Sequence, residues 1–148
     1  MTPKDRELVL KDLCERLPYM VKLHNITTNE DVELYAIDLN SRMASFWKFK
    51  GNSLQIGDIS SIFRGDGSIR LKPYLRPMSS ITDKEKEEIK PFFSELRDEA
   101  GRRVLVVRQN EMPLYQDYLN AYFLDYRGLI PKGLALEAPE GMYKVGRE

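Results

Sequence analysis

Apolar side chains over the first eighteen positions recur with a helical period. Leu10, Leu13, Cys14 and Leu17 follow the i, i+3, i+4, i+7 spacing of one helix face. Thr2 can cap the start, Pro3 suits the first helical position, and Asp5 sits beside the positive end of the helix dipole. Pro18 stops the run. A helix over 1–18 is predicted, with the Cys14 thiol buried on its apolar side and inert.

From 19 to 77 the period shortens to two. Tyr19, Val21 and Leu23 alternate with Met20, Lys22 and His24, and further strands are predicted over 32–37, 43–49, 54–63 and 69–74. Polar or glycine-containing turns separate them, including Arg64-Gly65-Asp66-Gly67-Ser68, and Pro73 and Pro77 stop the last one. Short strands at this spacing predict a small antiparallel meander or a partly closed barrel. In the third strand, alternation would turn Trp47 and Phe49 toward the core and Lys48 and Lys50 outward.

The stretch 78–124 reads as helix, strand, helix. Thr82 and Glu85 have the spacing of a capping box, and Ile89, Phe92, Phe93 and Leu96 would face the core, with Pro91 kinking or dividing the helix. Val104-Leu105-Val106-Val107 reads as a buried strand. A last helix over 111–124 carries Tyr115, Tyr118, Leu119, Tyr122 and Phe123 on one face. Glycines and prolines punctuate 125–148, predicting ordered turns that cover the core and then a loose tail. The whole is an α+β fold, and 148 residues fit one domain.

Composition adds exclusions. Cys14 is the single cysteine, so the chain cannot form an internal disulfide or a zinc site of four cysteines or of two cysteines and two histidines. No stretch approaches the ~20 apolar residues that span a bilayer, and no apolar segment follows the N-terminus, so a cytoplasmic protein without a membrane partner is expected. Nothing in the pattern asks for a cofactor or a metal.

Charge is balanced at 23 basic and 23 acidic residues, but unevenly placed. Residues 42–76 hold seven basic and two acidic side chains, whereas residues 1–41 hold five and eight. Within that basic stretch, aromatic and basic residues interleave. Trp47 and Phe49 could stack on bases while Lys48, Lys50, Arg70 and Lys72 meet phosphates. The same alternation is equally that of an ordinary strand with one face in the core. His24, the one histidine, has no catalytic serine or cysteine motif beside it and reads as a surface strand residue. Arg64 to Ser68 lacks the spacing of a phosphate-binding loop and reads as a hairpin turn. The alternating acids and lysines of 83–90 read as a solvated face.

Three stretches carry a resemblance: Leu8–Pro18, Lys72–Ser80 and Asp125–Tyr143. Together they resemble an uncharacterised protein family encoded by gut Bacteroidales genomes and the phages and mobile elements in them. The resemblance implies a setting and no catalytic residue. The leading expectation is therefore a non-enzymatic interaction or accessory protein of a phage or mobile element that binds a protein partner. A nucleic-acid-binding domain using 42–76 is the alternative, and an enzyme the third.

Overall fold

The computed structural model describes residues 2–49 and 51–143. Helix α1 spans Pro3–Arg16, and its start is built as the sequence predicts. The Thr2 hydroxyl accepts from the Asp5 N–H at 3.1 Å, and the Thr2 N–H donates to the Asp5 carboxylate at 3.1 Å. A 3-10 turn at Leu17–Tyr19 carries the chain into a meander of β1 (Lys22–Asn25), β2 (Glu30–Asp38), β3 (Met43–Lys48) and β4 (Ser53–Asp58). Strand β5 (Leu71–Leu75) returns antiparallel to β1, and the short β8 (Leu136–Glu137) adds in parallel to β5. The sheet order is β4-β3-β2-β1-β5-β8.

One sheet face is dry. Leu23, Val32, Leu34, Ala44, Phe46, Leu71 and Leu75 are buried there with Val9 and Leu13 of α1 and with Phe123, Leu129, Leu134 and Ala135 from the last third of the chain. The predicted covering role of the segment after Asp125 is thus what it does. The opposite face holds Lys22, His24, Glu33, Trp47, Leu54, Ile56, Lys72 and Tyr74, and none of these is buried.

Two helical or strand phases differ from expectation. In α1 the buried residues are Val9, Asp12, Leu13 and Arg16, one position away from the all-apolar stripe, and Cys14 is only half-buried. In β3 it is Ala44 and Phe46 that face the core, while Trp47 lies on the open face and Phe49 past the strand end is 48% exposed. A bulge between Leu34 and Ala36 shifts the β2–β3 register, which pairs Leu34 with Phe46 and Ile37 with Ala44.

The stretch after β5 also departs from the simple helix-strand-helix. Helix α2 is Asp83–Ile89, capped by Thr82 and Glu85 as predicted. Pro91 sits in a 3-10 turn over Lys90–Phe92, and the chain then becomes β6 (Phe93–Arg97). Strand β7 (Arg103–Val107) pairs with β6 alone, as a separate two-stranded sheet. Helix α3 covers Met112–Ala121. The α+β class stands, with the two late helices flanking a hairpin in place of one buried strand.

Candidate functional site

The basic residues of 42–76 do not share a surface. Lys48 follows the core-facing phase of β3 and its ammonium lies 3.5 Å from Glu30. Arg76 is bound in a fork to Glu85, at 2.8 and 2.7 Å, and also donates to the Ser80 and Tyr122 carbonyls. Lys72 stands opposite His24 on the open sheet face, across the sheet from Arg70, which lines a cleft with the core residues Val32, Phe46 and Leu71. Trp47 shares the open face with Lys72, between Glu33 and Leu54. Lys50 lies outside the described residues. The structure therefore groups Trp47 with Lys72, and Lys48 with Arg70, on opposite sides.

His24 has more company than its sequence neighbours suggest. Its Nδ1 is 2.7 Å from Asp31 Oδ1, and the Tyr74 hydroxyl donates to the same oxygen at 2.9 Å. Burial and the Asp31 carboxylate push the Tyr74 phenol up to about 12, so it stays a donor at neutral pH. No serine or cysteine is hydrogen-bonded to His24 among the described residues. Pairing across β1 and β2, which sets His24 against Asp31, is visible only once the register is known.

Three further charged residues are buried, and all are spent on holding the chain together. Asp12 accepts from Arg16 Nε at 2.9 Å and from Arg127 at 2.6 Å. Arg16 also donates to the Leu124 carbonyl at 2.7 Å, Arg127 donates to Glu15, and both guanidiniums lie over the Tyr126 ring. Asp125 accepts from the N–H groups of Leu129 and Ile130 at 2.8 and 2.9 Å. Tyr126 and Arg127 thus clasp α1, and Asp125 ties down the turn that follows them. The Arg64–Ser68 segment is the predicted turn, closed by Arg64 N–H to the Ser68 carbonyl at 2.6 Å.

The β6–β7 hairpin is the feature that sequence reasoning misread. Leu96 is 53% exposed, Leu105 60% and Val104 37%. Among the described residues, neither outer edge of this two-stranded sheet is paired. At its base Phe92 and Phe93 pack on Tyr115, with ring centroids 6.0 and 5.3 Å apart, and the Arg108 N–H donates to the Phe92 carbonyl at 3.0 Å. At its tip Asp98 accepts from the N–H groups of Ala100 and Arg102, and Gly101 takes the left-handed conformation at φ 81°. A groove of about 480 Å³ runs between α2 and the hairpin, lined by Ile89, Phe93 and Leu105 with Lys86, Lys90 and Arg103.

No helix among the described residues is long and apolar enough to cross a membrane. No group of three or more histidine, cysteine, aspartate or glutamate side chains among them could hold a metal ion. No protein-family model, curated protein or solved structure matches the chain.

Proposed function

We propose that the protein is a non-enzymatic interaction module whose β6–β7 arm docks a protein partner. The observation that carries this reading is the arm itself, a hairpin with Leu96 and Val104 exposed on one face, Leu105 on the other, and both edges unpaired among the described residues. An exposed, apolar, unpaired strand edge is a template for another strand, and chains that keep one in the open use it or aggregate through it. Beside the groove Arg103 is bridged to Glu95 at 2.8 Å and Lys90 to Glu87 at 3.1 Å, so the charges there are largely matched and the partner favoured is one that brings an apolar strand. An accessory role in a phage or mobile element rests on the sequence resemblance. The nucleic-acid reading loses support, because its basic residues are divided between two sheet faces or paired with acids.

The test is site-specific photocrosslinking in cells of the native host, from position 105 on the arm and from Lys11 on the exposed side of α1. A discrete protein adduct from position 105 is expected, absent from position 11 and lost in the Leu96→Glu, Val104→Lys double variant. Adducts that are the same from both positions, or that survive the double variant, would sink the reading. Since both substituted side chains are exposed, thermal stability should stay within about 0.5 kcal/mol of the parent.

A further inference from the structure

Four described arginines have side chains that are not openly exposed: Arg16, Arg70, Arg76 and Arg127. Three of them are matched by carboxylates, namely those of Asp12, Glu85 and Glu15. Arg70 has no carboxylate partner among the described residues, and its Nε is buried without any hydrogen-bond acceptor. A guanidinium group partly removed from water and left unmatched is costly, which is why the other three are paired. The main chain at Arg70 is held on both sides. The Arg70 N–H donates to the Ile62 carbonyl at 2.7 Å, and its own carbonyl accepts from the Ile26 N–H at 3.0 Å.

The side chain lines a cavity of about 130 Å³ between the β3–β4 end of the sheet and the turn at Ile59–Ile62. Asn25, Gln55 and Ser61 supply polar atoms to its wall, and Phe46 and Leu71 supply its apolar side. Phe46, Gln55 and Ser61 also line a neighbouring cleft of about 410 Å³ that reaches Ile56 and Gly57, so the cavity opens outward along β4. Lys48, two residues beyond Phe46 in the same strand phase, is paired with Glu30 at 3.5 Å, so Arg70 is the cation that the cleft offers. Amide and hydroxyl groups around an unmatched guanidinium, with no acid among the lining residues, form a set that suits an anion and repels nothing about it.

We propose that this cleft binds a small molecule through an oxyanion, a phosphate or carboxylate group, seated on the Arg70 guanidinium with Gln55 and Ser61 beside it. The site is separate from the hairpin arm and does not depend on the arm's role.

The experiment follows the Arg70 Nε–Hε resonance and the backbone amides of Gln55 and Ser61 by NMR while the full chain is titrated with inorganic phosphate, acetate or adenosine monophosphate. A saturable shift of these three signals is expected, with a Kd of about 1 mM or tighter for the best of the three probes. Phosphate and the nucleotide responding without acetate identifies a phosphoryl ligand, and acetate alone a carboxylate. Arg70→Gln should abolish the shift at Gln55 and Ser61, and Arg70→Lys should weaken binding about tenfold by losing the fork. Should Arg70→Gln fail to fold, the Gln55→Ala, Ser61→Ala double variant replaces it, and unchanged affinity there overturns the proposal. So do shifts that never saturate and match those at the exposed Arg42 and Arg64, or a response to an oligonucleotide with none to the small anions.

Discussion

At the scale of single residues, Asp12 carries the most. It is fully buried and holds two guanidinium groups that come from opposite ends of the chain. Asp12→Ala would leave both without a shared counter-charge inside the protein, and breaking a buried ion pair from one side costs about 3–5 kcal/mol. Urea denaturation should show that loss as a lower midpoint with an unchanged slope. A cost below about 1 kcal/mol would mean that water reaches the group. Glu85 offers a second check through pH. Burial alone would raise its carboxyl, but the Arg76 fork and the Thr82 N–H hold it below the ordinary value of 4.5. A carboxyl lowered by folding gives stability that is present at neutral pH and lost as the pH falls below 4.5 through its folded value. Glu85→Gln should therefore flatten the acid limb of the stability profile. A parallel shift of the whole profile would contradict the assignment.

At the scale of elements, the caps and most breakers are legible, but Pro73, expected to stop the last strand, sits buried inside β5 opposite Leu23. Thr82→Ala removes the hydroxyl that accepts the Glu85 N–H at 3.2 Å, and should cost about 1 kcal/mol by thermal unfolding. No measurable cost would show that α2 is held by Arg76 alone. Thr2, Pro3, Pro18 and Pro91 likewise mark boundaries that the chain obeys, because their effects are local. What could not be read was phase. The apolar stripe Leu10, Leu13, Cys14, Leu17 is real in the sequence, yet α1 turns so that Asp12 and Arg16 go inside, because their partners lie more than a hundred residues away. In β3 both phases offer aromatics, Phe46 on one side and Trp47 with Phe49 on the other, and it is the pairing of Phe46 with the core residue Leu34 that puts Phe46 inside. The run Val104–Val107 reads as buried because apolar strands usually are, and sequence carries no mark of whether the covering surface belongs to the same chain.

On the scale of the whole molecule, charge that clusters in sequence disperses in space. The interval 42–76 runs from β3 through β5, so its side chains alternate between two sheet faces. An oligonucleotide titration at low salt should therefore find nothing tighter than nonspecific binding of roughly 10⁻⁴–10⁻⁶ M. The Lys48→Ala, Lys72→Ala double variant should leave its salt slope unchanged. Submicromolar binding that this variant weakens would restore the nucleic-acid reading. Trp47, Phe49, Lys48, Arg70 and Lys72 have chemistry that suits a phosphate backbone, and the sequence does not say which of them end on one side.

The clasp of Tyr126 and Arg127 on α1 also sets a clock. Bonds from Arg16 to Leu124 and from Arg127 to Asp12 span 108 and 115 residues. Ribosomes add about 5–20 residues per second, so roughly 5–20 s separate the synthesis of the first helix from that of the distant groups its buried side chains bond. During that interval α1 can curl but cannot settle, since Asp12 and Arg16 have no reason to leave water. Contacts of such sequence separation favour late closure and a slow folding rate. A nascent chain interrupted before residue 124 would hold a formed helix and sheet with nothing to lock them, and that is the state in which proteases and chaperones would meet it.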